Sequence, residues 1–151
     1  VKRRLELIRD ISNIKIYDDF AHHPTAIKKT IEALRNKSGK KLGAAKSNRL
    51  IVVFEPRSNS LKRGHGKYRL AESFSAADII HVYDGSVNWD VKSALNGLGQ
   101  KVYVESNIQN ILKRLSSQIC TGDTVVFMSN GDFHGILRKF VKMLDLKNFQ
   151  R

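Results

Sequence analysis

The sequence is short of cysteine, proline and acidic side chains. Among 151 residues there is one cysteine, there are two prolines, and 14 acidic residues stand against 27 lysines and arginines. A single thiol excludes a disulfide framework within the chain, and we expect Cys120, at the end of a helical pattern, to be half-buried. No apolar run reaches about 18 residues and no signal-peptide core is found, so we expect a soluble, cytoplasmic protein with no membrane partner.

The shortage of acids leaves a formal net charge of +13 and a pI of about 10.1, values that raise nucleic acid as a partner. The distribution argues against it, because most of the charge is spread over predicted helix faces and aromatic residues do not alternate with basic ones as they do in single-strand binders. The acid-free segment from Asn36 to Arg49 contains glycine and serine and is predicted to be a basic mobile loop. We expect a solvated basic face, or attraction to phosphorylated small molecules, with no nucleic acid bound.

Short apolar strands alternate with amphipathic helices along the chain. The continuous apolar run Leu50–Phe54 is typical of a strand covered on both faces, and Ile108–Ile119 repeats apolar residues at helical spacing. Leu5–Ile8 and Asn13–Tyr17 predict an antiparallel hairpin with its turn at residues 9–12. We therefore expect an α/β domain, a mostly parallel sheet flanked by helices with a short N-terminal hairpin. Further strands are predicted at 79–83, 101–104 and 125–128, and further helices begin at Pro24 and near Leu70, Val91 and Ile136.

Polar residues follow the predicted strands, and in open parallel sheets ligands bind at the carboxyl ends of the strands. Arg57 comes after a strand and a proline, and its planar fork suits a carboxylate or a phosphate, although a plain surface arginine is an equal alternative. The segment Ser129–Asp132 leads into the last helix, so its backbone N–H groups could face an anion or simply cap the helix. If the strands are parallel, these groups meet on one edge of the sheet.

The most concentrated chemistry lies in Asp18–Pro24, which places two carboxylates and two imidazoles at a strand-to-helix turn. Pro24 suits the first helical position, where free N–H groups attract negative charge. The four side chains could bind a metal, transfer a proton or contact a ligand, and capping of the helix is a serious alternative. Adjacent histidines cannot point the same way on a regular element, which disfavours a structural zinc site.

Two common nucleotide-binding signatures are missing from the sequence. The Walker spacing G-x-x-x-x-G-K-[ST] does not occur, and Gly64–Lys67 does not supply it. A dinucleotide glycine fingerprint is missing too. A nucleotide enzyme with this sequence would have to hold the phosphates mainly by groups outside this chain.

Four segments resemble the C-terminal domain of the Mur ligases, the ATP-dependent enzymes of peptidoglycan synthesis. Tyr17–Ile27 resembles the motif that opens this domain, and Arg3–Glu6 resembles the hinge through which the central domain enters it. Phe54–Asn59 and Met128–Gly131 resemble the branch of the family that recycles murein. The resemblance implies a Rossmann-like domain spanning residues 1–151, with residues 1–12 as the entry segment, that closes over ATP and Mg²⁺ held mainly by a central domain.

The resemblance also implies roles for individual residues. On the ATP side, it implies contacts from Arg4, Asp18, Asp19 and His23. On the side of the incoming peptide, which attacks an acyl phosphate formed on UDP-N-acetylmuramate, it implies contacts from a second set: Phe20, His22, Arg57, Ser58, Asn59 and Asn130. It implies no metal ligand and no catalytic residue within this domain, so that the chain alone would be inert and would work with the N-terminal and central domains of the same enzyme.

Departures and alternatives accompany this interpretation. Asp132 and His134 stand where the recycling branch usually has glycines, and Ser60–Arg63 also departs from the commoner pattern. The family also contains the ligase that adds L-alanine to UDP-N-acetylmuramate, which shares the Asp-Asp-aromatic-small-His-His-Pro motif. That ligase has a different segment after the strand that corresponds to Leu50–Phe54, so Glu55–Asn59 favours the murein-recycling branch. A basic module for RNA or another polyanion, and a metal hydrolase using His22, His23 and Asp19, are alternatives from other classes.

Overall fold

The computed structural model describes residues 3–38, 48–57 and 65–149, which form a six-stranded sheet with helices on both faces. The strands are β1 Glu6–Ile11, β2 Ile14–Asp19, β3 Leu50–Phe54, β4 Ile79–Tyr83, β5 Val102–Glu105 and β6 Thr124–Met128. The α-helices are α1 Pro24–Ser38, α2 His65–Ser73, α3 Val91–Ala94, α4 Ile108–Gln118 and α5 Ile136–Phe149, with short 3-10 helices at Asn96–Lys101 and Phe133–Gly135.

The strand order is β1-β2-β6-β3-β4-β5, and every neighbouring pair is parallel except β1 with β2. The predicted α/β class, with its mostly parallel sheet and antiparallel N-terminal hairpin, is confirmed. The last strand, β6, lies between β2 and β3. The chain therefore adds β1 and β2 on one side of β6 and β3, β4 and β5 on the other side. Ligand sites of open sheets lie where the strand order reverses in this way.

The hairpin turn is not where the sequence pattern placed it. β1 continues through residues 9–11, and the turn is the pair Ser12 and Asn13, with φ of 51° and 62°. Positive φ at both central residues is the geometry of a two-residue turn whose twist matches that of the paired strands. Ile11 and Ile14 flank the turn and are both buried, so burial extended the strands into a segment whose polar residues had suggested a loop.

Two apolar layers hold the helices against the sheet. One face carries Leu50, Val52 and Phe54 of β3 beneath α1, α2 and α3. Ile51 and Val53, the alternate residues of the same strand, pack on the other face beneath α4 and α5. All five residues of β3 are buried, which explains why this central strand reads as an unbroken apolar run.

The register brings three strand ends level at one edge. Asp19 pairs with Met128, and Met128 pairs on its other side with Phe54. The residues that follow continue the alignment: the Glu55 N–H donates to the Met128 carbonyl at 3.0 Å, and the Ser129 N–H donates to the Asp19 carbonyl at 3.3 Å. The predicted convergence of polar strand ends therefore occurs, centred on β2, β6 and β3.

Smaller expectations have mixed outcomes. α1 begins at Pro24 as predicted, and it extends to Ser38, inside the segment expected to be a loop; residues 39–47 of that segment lie outside the described residues. Cys120 is exposed, not half-buried. None of the helices that the structure describes is long and apolar enough to cross a membrane.

Candidate ligand-binding site

The candidate site is the edge of the sheet formed by the ends of β2, β6 and β3. Ser129, the first residue after β6, is its centre and is 1% exposed. Its carbonyl accepts a hydrogen bond from an Arg3 Nη at 2.8 Å, and its hydroxyl donates to Glu55 Oε1 at 2.5 Å. One residue therefore links the entry segment of the chain, β2 and the end of β3.

Asp18 is paired with Arg3. The Arg3 Nε donates to Asp18 Oδ2 at 3.1 Å, and the two side chains are 32% and 18% exposed. Burial raises the pKa of the Asp18 carboxyl above its ordinary value, and the charge and hydrogen bond of Arg3 offset part of that rise. The carboxyl is thus half-buried and held in place by the entry segment.

Arg4, the arginine for which the resemblance implied an ATP contact, lies elsewhere. It is exposed and has no hydrogen bond or ion pair to the part of the chain that the structure describes. Arg3 has a φ of 58° and turns its guanidinium inward, where it also lies 5.4 Å from the centre of the Phe20 ring. Spacing alone does not distinguish two consecutive arginines in an irregular turn, so Arg3 was missed.

Asp19 lies on the opposite face of the sheet from Asp18. Successive residues of a strand point to opposite faces of the sheet, so Asp18 lies on the α5 side and Asp19 on the α1 side. Asp19 is 7% exposed, and its two oxygens accept from the Ala21 N–H at 2.9 Å and the Thr30 hydroxyl at 2.8 Å. This carboxylate fastens the strand-to-helix turn to α1, which is the capping alternative raised from the sequence.

An aromatic surface follows Asp19. Phe20 is 46% exposed. Its ring meets the His22 ring edge-on at 5.6 Å, and the rings of His22 and His23 lie 4.0 Å apart. The two rings can lie this close because His22 and His23 stand in a turn, where the alternation of a regular element does not apply.

The metal hydrolase alternative required His22, His23 and Asp19 to converge. Both Asp19 oxygens are already bound to Ala21 and Thr30, and His22 Nδ1 lies 3.0 Å from the Phe20 carbonyl. Across the described residues, three or more His, Cys, Asp or Glu side chains do not gather as metal ligands would.

Arg57 and the Asn130–Gly131 turn come together as the sequence predicted. A methyl group on the Gly131 Cα would lie 1.5 Å from an Arg57 Nη and 2.7 Å from its Cζ, so the guanidinium rests directly over the glycine. The Asn130 Oδ1 beside it is buried and has no hydrogen-bond partner among the described residues. Ser58 and Asn59, the other members of the predicted peptide-side group, lie outside the described residues.

Glu55 is a functional candidate that the sequence reasoning passed over. It is 3% exposed, and its two oxygens accept from the Ser129 hydroxyl at 2.5 Å and the Ser86 hydroxyl at 2.6 Å. The His134 Nε2 lies 3.9 Å from Glu55 Oε2. An acidic residue directly after a fully apolar strand was the signal that could have found it, because buried acids are rare unless they are paired.

A cleft of about 330 Å³ opens beside Asp18, between β1 and the start of α5. Arg3, Asp18 and Ser129 supply its polar wall, and Phe133 and Ile136 supply part of its apolar wall. The turn that enters α5 is unusual, since Phe133, His134 and Gly135 all have positive φ. The geometry therefore combines an apolar recess with a cation and a carboxyl, a set suited to binding a polar organic ligand.

Comparison with known proteins shows the family of the chain. The sequence profile of the family described as "Mur ligase, glutamate ligase domain" matches residues 3–131. The chain belongs to the Mur ligase family. The match begins at Arg3 and ends at Gly131, so it includes Arg3, Asp18, Glu55, Arg57 and Ser129 but not the turn that enters α5.

Individual Mur ligases are similar to this chain over nearly all of its length. The Haemophilus influenzae UDP-N-acetylmuramate–L-alanyl-gamma-D-glutamyl-meso-2,6-diaminoheptandioate ligase is 37% identical over 147 residues, which are 97% of this chain and 31% of the relative. The crystal structure of a murein peptide ligase from Psychrobacter arcticus is 35% identical, with a TM-score of 0.81 over 95% of this chain and 30% of that one. The chain thus spans about a third of the length of these Mur ligases.

A third relative is a single domain whose crystal structure was determined without the rest of its ligase. It is the crystal structure of a domain described as coming from a UDP-N-acetylmuramate:L-alanyl-gamma-D-glutamyl-meso-diaminopimelate ligase of Haemophilus ducreyi, with 36% identity and a TM-score of 0.75. The similarity covers 93% of this chain and 99% of that one. A Mur ligase domain of this extent therefore folds without the rest of its enzyme.

Proposed function

We propose that this chain is the C-terminal domain of an ATP-dependent ligase that joins the tripeptide L-alanyl-gamma-D-glutamyl-meso-diaminopimelate to UDP-N-acetylmuramate in peptidoglycan recycling. The observation that carries the proposal is the contact of Arg57 with Gly131 next to Asn130. This contact brings together the two segments that resemble the recycling branch. The 37% identity to the Haemophilus influenzae tripeptide ligase supports the same substrate.

The peptide side of the proposed site has the donors and acceptors that a tripeptide needs. The Arg57 guanidinium is exposed and makes no hydrogen bond or ion pair with the described residues, so it can bind a peptide carboxylate with two parallel N–H bonds. The buried Asn130 Oδ1 can accept from an amine or amide N–H. Phe20 and His22 would cover the apolar part of the peptide, and Ser58 and Asn59 would complete the pocket.

The nucleotide side is proposed around Asp18, His23 and the start of α1. The carboxyl of Asp18, held by Arg3, can accept from a hydroxyl group. His23 is exposed, and its carbonyl accepts the Ile27 N–H at 2.9 Å as α1 begins. α1 has no acidic residue in its first turn, and the N–H groups at a helix N-terminus attract phosphate. Arg4 at the hinge would contact ATP. Asp19 would contribute indirectly, by holding the turn between β2 and α1 in place.

The remaining parts of the enzyme are proposed to lie outside this chain. The N-terminal and central domains would bind UDP-N-acetylmuramate and hold most of ATP and Mg²⁺, whose chemistry is to activate the muramate carboxylate as an acyl phosphate. The described edge of this domain would orient the incoming amine for attack and exclude water from the closed site. We propose that the reaction takes place in the cytoplasm and that the chain alone is inactive.

Segment exchange tests the proposal. The matching segment of the Haemophilus influenzae relative is replaced by this chain, and the product formed from ATP, UDP-N-acetylmuramate and tripeptide is identified by mass spectrometry. The proposal predicts a UDP-N-acetylmuramoyl-tripeptide whose formation stops when ATP is omitted. A folded exchange protein that forms no amide product, beside an active parent enzyme, would contradict it. Retention of the isolated chain on RNA at physiological salt would favour the polyanion module instead.

A further inference from the structure

Glu55 is a buried carboxylate at the centre of the candidate site. It follows β3 directly, and it joins three adjacent strand ends because Ser86 follows β4 and Ser129 follows β6. A carboxylate that is 3% exposed is costly to bury unless hydrogen bonds compensate it. The two short hydroxyl bonds supply that compensation, and they make this acid the common support of the neighbouring loops.

The bond to Ser129 continues to the turn that carries Asn130. The Gly131 N–H donates to Ser129 Oγ at 3.0 Å, and the same hydroxyl donates to Glu55 Oε1. A hydroxyl that already accepts one bond points its hydrogen at the carboxylate, and the charged acceptor strengthens both bonds. The orientation of the turn is therefore fixed through two hydrogen bonds from a buried charge.

The position of the turn determines where Arg57 rests. The guanidinium lies over the bare Cα of Gly131, so a rotation of this turn would move the surface beneath it. Arg57 also follows Glu55 by two residues across Pro56, which restricts the backbone between them. Glu55 therefore constrains Arg57 in two ways: through the short backbone segment that joins them, and through the Asn130–Gly131 turn on which the guanidinium rests.

We propose that Glu55 is a positioning residue for the incoming peptide, acting through Ser129 on the Asn130–Gly131 turn and on Arg57. This inference rests on the proposed function. Neutral glutamine cannot replace it, because a carboxamide offers one acceptor oxygen where two serine hydroxyls require two. In Glu55→Gln one hydroxyl loses its acceptor, and the bond from Ser129 loses the charge that strengthens it whichever way the amide turns.

Two serines provide a matched pair for the test. Ser129→Ala and Ser86→Ala each remove one hydroxyl bond to Glu55, but only Ser129 connects to Gly131. In the segment-exchanged ligase, Glu55→Gln and Ser129→Ala should raise the KM for tripeptide about ten-fold. Ser86→Ala should raise it less than about three-fold, and none should change the KM for UDP-N-acetylmuramate. A merely structural role would lower the active fraction, and hence kcat, in all three.

Amide hydrogen exchange provides a second readout that does not depend on activity. The isolated domain is suitable, since the related domain from Haemophilus ducreyi was crystallised by itself. The Gly131 amide should exchange faster in Glu55→Gln and Ser129→Ala, and at the wild-type rate in Ser86→Ala. Unchanged tripeptide KM and unchanged Gly131 exchange in the first two variants would overturn the inference. An inactive wild-type exchange protein would count against the proposed function, and the amide rates would then decide only whether Glu55 holds the Gly131 turn.

Discussion

Gly131→Ala tests the peptide pocket from the side of the glycine. The new methyl group would lie 1.5 Å from an Arg57 Nη and 2.7 Å from Cζ, distances that no packing tolerates. The clashing atoms are the far end of a flexible, exposed side chain, and Gly131 is not among the residues with positive φ. The fold should therefore survive with a loss of less than about 1 kcal/mol, while Arg57 is displaced from its position.

The magnitude follows from the bond that the displaced guanidinium would lose. A hydrogen bond to a charged group contributes about 1.5–3 kcal/mol, so the KM for tripeptide should rise about 10- to 150-fold in the segment-exchanged ligase. The KM for UDP-N-acetylmuramate should stay the same. Gly97→Ala is the matched control, because a methyl group there meets nothing within 4 Å.

A double-mutant cycle separates displacement of Arg57 from other effects. If Gly131→Ala acts only by moving the guanidinium, it should add less than about two-fold to the KM of an Arg57→Ala variant. Steady-state kinetics of the four proteins with varied tripeptide supply the cycle. Additive effects, or a Gly131→Ala enzyme with the wild-type KM, would refute the reasoning that places Arg57 over this turn as the carboxylate-binding group.

Three further predictions concern stability, each measured by urea unfolding of the isolated domain. Asp123→Asn should cost about 3 kcal/mol, because it breaks an arginine pair in which the carboxylate is 0% exposed, whereas Asp132→Asn, in a pair 76% and 70% exposed, should cost less than about 0.5 kcal/mol. Gly135→Ala should cost about 1–2 kcal/mol because φ there is 67°, and Gly97→Ala should not. Burial lowers the pKa of His81 to about 4, so the unfolded chain takes up a proton before the folded one as pH falls below about 6.5. Stability should drop by about 2 kcal/mol between pH 7 and pH 5, and His81→Gln should remove most of this slope.

The sheet could be predicted because its strands are strongly apolar and its helices strongly periodic. Leu50–Phe54 is buried on both faces, and such a run has few alternatives to a central strand. The parallel arrangement then predicted that the strand ends share one edge, and the contact between Arg57 and Gly131 confirms that two of these ends meet. Pro24 marked the start of α1 for an equally simple physical reason.

The features of the site that the sequence pattern did not predict depend on the direction in which individual side chains point. The sequence resemblance assigns Asp18 and Asp19 to the same side of the site, although the alternation of a strand sends them to opposite faces. Arg3 lies inside and Arg4 outside because of a positive φ in an irregular turn, which no periodicity encodes. Glu55 was missed since its partners, Ser86 and Ser129, are far apart in the chain and meet only through the strand order.

The choice of amine by the segment-exchanged ligase tests the central claim most directly. With ATP and UDP-N-acetylmuramate present, phosphate release and amide formation are measured with tripeptide and with L-alanine in parallel. We predict that the tripeptide is joined, that one phosphate is released for each amide formed, and that L-alanine is not joined at matched concentrations. Joining of L-alanine in preference to the tripeptide would contradict the account and would assign the domain to the L-alanine ligases.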